Sequence, residues 1–555
     1  MAHHGVKAKA GVLAAMTLAA LAGSAMGQAG TGDPDVIVGI LPNVTNWGSS
    51  STNPTDASIY AYSIGTTSCN ISTVNITAND LNWISSTNQH PVIGQNLYRL
   101  RVVGGATRLE QIGMSWLKHG FLALTNSDCA TCSGRGGSVL GVGCSDPYSS
   151  SLNGDQTRLG PRSHVNSSTG FYPYPFTSPG AGYIVPPSVG SGTAATTPRR
   201  LQVVRSDINP TLNANTLYFG EGQYVTVDDS SQRTTGRGKY QLSTNNNSYR
   251  RMTFNASFQG AMVDTTRQQS AGIYAWRDYG AVSATTGLFT LAPDNTVTIV
   301  PLDFNQTGDG RYLIGCKVTN LNNGRWRYEY AVQNIHSDRA GGMFRVPIPA
   351  GVTVSGSGFH GVSYHSGEPY SNTAWVQTEG SGFVTWTTPE SYAVNVNSSA
   401  LRWGTMYNFW FEATTAPVSG QVELGLFKPG TPGSGSVTLS VPGSPPCTLD
   451  YNRDTFANLD DLGDFITDYY TSPAIPGGVQ ANAPTYPGVV AGYSTPCPNA
   501  PDAPSPYAVD AYRVNGYRVG FVPNGINACP LSPDAAFPNL DNLGDYITAY
   551  YAGSC

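Results

Sequence analysis

The stretch GRYLIGCKVTNLNNGRWRYEYAVQNI, residues 310–335, decides the fold. On either side of Asn323-Gly324 the apolar and aromatic residues recur at nearly every second position. That period belongs to a β-strand, whose successive side chains point to opposite faces. Asn-Gly is the strongest short-range hairpin signal, because both residues accept a positive φ. The stretch therefore reads as two strands joined by a turn. Cys316 falls inside the first strand and is expected to be a buried free thiol.

The same texture extends outward. NTLYFGEGQYVTV and TVTIVPLDF precede the hairpin, and FRVPIPAGVTV, GFVTWTT, MYNFWFEA, QVELGLF and SVTLSV follow it. Short strands at regular spacing with Gly/Pro turns imply a mainly β protein of one or two β-sandwich domains. The best helical candidate in this body is RLEQIGMSWLKHGFLALT, residues 108–125. Residues 166–198 are rich in Pro, Gly, Ser and Thr. They read as a boundary between a β-rich domain, 28–197, and a β-sandwich domain, 198–440; a long excursion within one domain is the other reading. VPGSPP places a linker at 441–446. In texture the segments 327–352 and 401–430 resemble β-sandwich segments of uncharacterised bacterial extracellular proteins, a resemblance that carries no functional residues.

The chain has 555 residues, 12% of them charged, with 64 Gly, 38 Pro and 31 Tyr. An average soluble protein has about 25% charged residues, so this composition suits an extracellular β-rich protein. Lys7 and Lys9 precede the apolar run GVLAAMTLAALAG, and Ala25 and Gly27 stand at −3 and −1 to a cleavage point before Gln28. This is the layout of a secretory signal peptide over 1–27. No later apolar run is long enough to span a membrane. The expected location is secreted, extracellular or cell-surface. Without Lys7 and Lys9 the net charge moves from −5 to −7, and residues 447–555 carry eleven Asp, no Glu and three Arg. The mature body is thus close to +1, which argues against nucleic acid as a partner. The acidity sits in the tail.

Export makes disulfides the expected state of most of the nine cysteines. CATCSGRGGSVLGVGC, with Cys129, Cys132 and Cys144, reads as disulfides in a Gly-rich loop. A zinc site formed with His119 is the weaker reading, since the second half of a zinc framework is missing. The four tail cysteines, Cys447, Cys497, Cys529 and Cys555, allow three pairings.

In the tail, NLDDLGDFITDYY (458–470) and NLDNLGDYITAYY (539–551) match at ten of thirteen positions, at an offset of 81. Apolar residues fall at helical spacing in both copies, so each is a short amphipathic helix. Before the first, Asp450, Asn452, Asp454, Phe456, Asn458 and Asp461 occupy positions 1, 3, 5, 7, 9 and 12 of a loop, Phe456 through its backbone carbonyl. Such alternation presents oxygen ligands to Ca2+. Here the sequence resembles a degenerate type I dockerin, a calcium-loop, EF-hand-like module of two loop–helix repeats. The resemblance implies one Ca2+ site in the first repeat and docking of the helix pair onto a cohesin-like or cell-surface protein. Thr455 stands where calcium loops have Gly, and the second copy has Leu531, Pro533 and Ala535 at its first ligand positions. That loop is expected to bind calcium weakly or not at all. An insertion between the copies carries a second Asn-Gly hairpin signal, AYRVNGYRV.

For chemistry in the body, GFHGVSYHSGEPY brings together His360, His365 and Glu368. Satisfied core or surface histidines are the expected fate, since positions five apart on a strand face opposite ways. Nothing in the sequence brings His90 and His119 together. No nucleophile-elbow, zinc-protease or phosphate-loop motif is present. Trp326, Trp386 and Trp410 lie in strand patterns that predict core. The function expected is that of a secreted or cell-surface non-catalytic β-sandwich protein, tethered through its dockerin-like module and binding an extracellular polysaccharide. The alternative is a secreted polysaccharide hydrolase on the same module.

Overall fold

The computed structural model describes residues 33–49, 58–189, 195–230, 242–304 and 309–444, together with the backbone strands Ala511–Val514 and Tyr517–Phe521. The signal peptide expected over 1–27 lies outside the described residues. So do the two helices and the calcium loop expected in the tail.

The opening hairpin is present. Arg311–Asn320 and Trp326–Asn334 pair antiparallel, with Cys316 opposite Tyr330, and Asn323-Gly324 lies in the five residues between them. They belong to a five-stranded sheet in the order Thr298–Asp303, Arg311–Asn320, Trp326–Asn334, Thr405–Ala413, Val354–His360. A second five-stranded sheet runs Val376–Gly380, Phe383–Thr387, Gly341–Pro347, Pro417–Leu426, Ser434–Pro442. The two enclose one core: Tyr328, Tyr330, Val332, Phe409 and Phe411 from the first meet Phe344, Val384, Trp386, Leu424 and Val441 from the second. This sandwich occupies 298–442, while Leu217–Val225, from the stretch NTLYFGEGQYVTV, belongs to a different sheet.

A third, larger sheet lies before it in sequence. Its main path runs Gly260–Met262, Asn247–Phe254, Leu217–Val225, Val92–Val103, Ala106–Met114, Leu201–Val204, Ile59–Ile64, Val44–Ser49. The sheet draws strands from both sides of the boundary expected at 197/198. Residues 166–189 and 195–198 thus belong to a connection that leaves and re-enters one sheet. A three-stranded sheet of Val36–Ile40, Thr66–Asn70 and Ser145–Tyr148 packs against it.

The helix expected over 108–125 is not formed. Ala106–Met114 is a strand, buried along its whole length, and Leu117–His119 is another. A strand covered on both faces loses its alternation, and its apolar residues can then mimic helical spacing. Leu109 and Ile112 do so here, each packed into a different cluster.

The large sheet packs on the outer face of the sandwich. Leu109, Leu100, Phe219 and Trp276 meet Leu313, Ala331 and Met406 there. Between the apolar patches the contact is polar. Glu221, fully buried, accepts from Asn96 (2.6 Å), Tyr98 (2.6 Å), Asn247 (2.9 Å), the Gly272 backbone (2.7 Å) and Gln333 (3.0 Å). Among the described residues no helix is long and apolar enough to cross a membrane. In the tail, Ala511–Val514 and Tyr517–Phe521 pair antiparallel, as expected of a hairpin, with the two residues between them outside the described ones.

Candidate functional site

The calcium ligands expected from the sequence, Asp450, Asn452, Asp454, Phe456, Asn458 and Asp461, lie outside the described residues. Within the body, the local cluster of His360, His365 and Glu368 is spent on structure. His360 Nε2 meets the Gln111 carbonyl (3.0 Å) and His365 Nε2 the Met114 carbonyl (2.8 Å), so both rings moor one segment to the same strand. Ser366 accepts from the Arg199 backbone and is left to donate to His365 Nδ1 (2.8 Å). Burial pushes His365 down to about 4, which keeps the ring neutral. Glu368 accepts the backbone N–H groups of Arg162 and Ser163 and fixes a turn.

The cysteines resolve as disulfides. Cys69 joins Cys129 and Cys132 joins Cys144, so these thiols are closed to zinc. Cys316 is free and buried, as its strand position predicts. Trp386 is core, and Trp410 lies under the Arg108 guanidinium at 3.4 Å.

His90 and His119 do meet, and strand register brings them together. Leu117–His119 pairs with the start of Val92–Val103, placing His119 opposite Val92, two residues beyond His90. His90 Nδ1 faces the Ile84 carbonyl (2.8 Å) and therefore carries a proton. His90 Nε2 then accepts from His119 Nδ1 at 2.9 Å. His119 Nε2 keeps its lone pair and points at Gly160, where a Cβ would come within 2.7 Å of it. The His119 ring stacks on Phe176 at 3.6 Å, with Tyr172 edge-on at 5.0 Å. Burial pushes His90 down to about 4 and His119 well below its ordinary range. Beside them Lys118 is fully buried, donates to the His119 carbonyl and is pushed down to about 7, chiefly by burial.

Next to this cluster in sequence, at Asn88 and Gln89 and at Phe171, a cleft of about 480 Å³ opens to solvent. Asn88, Gln89, Asn166, Thr169, Phe171 and Val227 line it. Residues 166–171 form its wall as a tight loop: Gly170 N–H donates to the Asn166 carbonyl (2.8 Å), Asn166 N–H to the Phe171 carbonyl (2.9 Å), and Thr169 N–H to Asn166 Oδ1 (3.0 Å). Gly170 has φ +73°, and a Cβ there would lie 2.4 Å from Val227 N. Only glycine lets this loop lie so close to its neighbour. The loop holds the Phe171 ring half exposed, at 49%. Tyr172 ties this wall to the histidine pair, donating to the His90 carbonyl (2.7 Å) and accepting from Asn88 Nδ2 (3.1 Å) through its own carbonyl.

No protein-family model matches the chain, and none of the curated proteins is similar to it at a significant level.

The cleft's chemistry stands on its own residues. It offers an aromatic face, three carboxamides and a hydroxyl, and none of its lining side chains ionises near neutral pH. Such a surface stacks on apolar ring faces and exchanges hydrogen bonds with neutral hydroxyls. Asn166, Thr169 and Phe171 lie in the Pro/Gly-rich stretch that reads as a boundary, and nothing local in the sequence joins them to Asn88, Gln89 and Val227. The signal available there was its aromatic content: Phe171, Tyr174 and Tyr183 are all exposed.

Proposed function

We propose that this chain is a secreted or cell-surface, non-catalytic β-sandwich protein that binds a neutral extracellular polysaccharide in the cleft beside Phe171. Its dockerin-like tail would tether it by docking onto a cohesin-like or cell-surface protein, with Ca2+ at Asp450–Asp461 supporting the first repeat. The observation that carries the binding reading is the cleft lining, an exposed ring among Asn88, Gln89, Asn166 and Thr169 without an ionisable side chain. Sugar rings present apolar faces and hydroxyl edges, and the cleft offers a partner for each.

The hydrolase reading draws on the His90–His119 relay. Both histidines are 1% exposed beneath Tyr172 and Phe176, closed off from any polymer in the cleft, so binding stands first.

Affinity electrophoresis of the mature protein through gels containing neutral glucans, mannans or xylans tests this reading. Retardation by one polymer, reduced tenfold or more in Phe171→Ala and Asn166→Ala, is expected. Equal mobility in every gel, or unchanged retardation of both variants, overturns it. Release of reducing sugar by the wild-type protein would favour the hydrolase.

A further inference from the structure

We propose that Asp35, Asp229, Asn245 and Asn246 together hold one calcium ion, a site in the body separate from the one proposed for the tail. Asp35 directly precedes the strand Val36–Ile40. Asp229 ends the short turn Val227–Asp229 that follows Leu217–Val225, and the two asparagines lead into Asn247–Phe254. Four side chains from three places in the chain thus converge. Asp35 and Asp229 are 0% exposed and the two asparagines 1%.

The case rests on oxygens without donors. Val36 N–H donates to Asp229 Oδ2 (3.1 Å), and Asn245 Nδ2 lies 3.2 and 3.3 Å from the two Asp35 oxygens. The Asn246 amide interacts with the Asp229 carboxyl while its Nδ2 donates to the Tyr224 carbonyl (3.1 Å). This leaves Asp229 Oδ1, Asn245 Oδ1 and Asn246 Oδ1 buried and without a hydrogen-bond partner. Turning either amide over does not help, since each Nδ2 already faces an acceptor. No Arg, Lys or His is among the groups acting most strongly on either carboxyl.

Two chemistries can relieve two adjacent buried carboxylates: a shared proton or a cation. A shared proton supplies one donor, yet three oxygens need partners. A cation satisfies several oxygens at once. The donors are carboxylates and amide carbonyls, the hard oxygen set that calcium takes six to eight at a time. Magnesium prefers a tight octahedron rich in water, and softer metals prefer nitrogen or sulfur. Two carboxylates also match a divalent charge. Bound there, calcium fastens the first described strand to the large sheet.

The test uses the full mature chain carrying Asp450→Ala and Asp454→Ala, which removes the tail ligands. After chelator treatment it is titrated with calcium chloride by calorimetry, and its Tm is read with and without calcium. One saturable site and a higher Tm in calcium are expected. Asn246→Ala in that background, which deletes one ligand oxygen and keeps both carboxylates, is expected to weaken binding about tenfold or more. Asp229→Asn, of equal size, is expected to abolish it. Absence of calcium-dependent heat and Tm shift in the parent overturns the site and favours a shared proton. Unchanged affinity in Asn246→Ala or in folded Asp229→Asn assigns the heat elsewhere and also overturns it.

Discussion

Arg108 reaches from the large sheet to Glu329 of the sandwich through two hydrogen bonds, 2.7 and 2.8 Å, with side chains 3% and 0% exposed. The same guanidinium lies over Trp410 at 3.4 Å. Glu329 also holds Arg327 (2.8 Å), which extends to Glu412 (3.1 Å). On the other side Glu110 holds Arg99 (2.8 Å) and Arg101 (2.9 Å). The two sheets therefore meet through alternating charges, and Gln111 adds a bond to the Met406 N–H. A buried ion pair adds little over an apolar pair of similar volume, but removing one partner strands the other charge, at roughly 3–5 kcal/mol.

Arg108→Met is accordingly expected to lower stability by about 3 kcal/mol, with Arg327 remaining as a partial partner for Glu329. Arg108→Met with Glu329→Met is expected to fall short of the sum of the single changes by about 1–2 kcal/mol, because neither charge is then left alone. Urea unfolding of all three variants measures the coupling. Strict additivity would mean that the pair is uncoupled.

The same strand shows how far the fold is legible. Tyr328, Tyr330 and Val332 announce a core face, and the structure buries them in the sandwich. Arg327, Glu329 and Gln333 between them carry a polar pattern that fits water or a second polar sheet equally well. Composition cannot separate the two, and here the face is buried. Ala106–Met114 failed for the opposite reason: with both faces covered it lost its period. His90 and His119 are 29 residues apart, and Val36 and Asp229 are 193 apart. Their meetings depend on pairing register, which no local pattern encodes. The disulfide loop was legible from an expected oxidising compartment and Cys316 from its strand position.

Acid should weaken the body in two stages. Burial depresses His90 to about 4 from an ordinary 6.5, with the Lys118 charge acting the same way. A depressed histidine contributes stability that is complete above 6.5 and lost as pH falls toward 4, about 3 kcal/mol for this shift. For Glu110, burial acts upward, but the Arg101 hydrogen bonds and the charges of His360, Arg101 and Arg99 hold it down to about 2. Its contribution, also about 3 kcal/mol, is present above the unfolded carboxyl range and lost between about 4.5 and 2. Urea midpoints at pH 7.5, 5 and 3 should fall at each step. His90→Gln should reduce the fall between 7.5 and 5 without removing it, because burial also depresses His119 and His365, and should leave the fall between 5 and 3.

The cleft wall should tolerate no side chain at Gly170. Its φ of +73° and the 2.4 Å approach to Val227 N leave a Cβ without room. Gly170→Ala is expected to cost about 1–3 kcal/mol in strain and to displace the Phe171 loop. Polysaccharide retardation should then fall with stability. Gly180→Ala is the control, since nothing lies within 4 Å of a Cβ there. Its stability should change by less than about 0.5 kcal/mol. Equal behaviour of the two variants would mean that the loop accommodates a methyl group.

The two disulfides should differ in weight, and Cys316 should be silent beside them. Cys69–Cys129 closes a separation of 60 residues and Cys132–Cys144 one of 12. On a chain-entropy basis their losses are about 4 and about 3 kcal/mol. Cys69 is also fully buried in the central strand of the three-stranded sheet, so that bridge anchors the Gly-rich loop to the core. Cys69→Ser with Cys129→Ser should therefore lower the Tm more than Cys132→Ser with Cys144→Ser. Cys316 is 2% exposed and burial pushes its thiol up to about 12, so native protein at pH 8 holds almost no thiolate there. Peptide mapping after iodoacetamide should find Cys316 unmodified in the native protein and fully modified in urea. Modification at equal rates in both would place that strand face in contact with solvent.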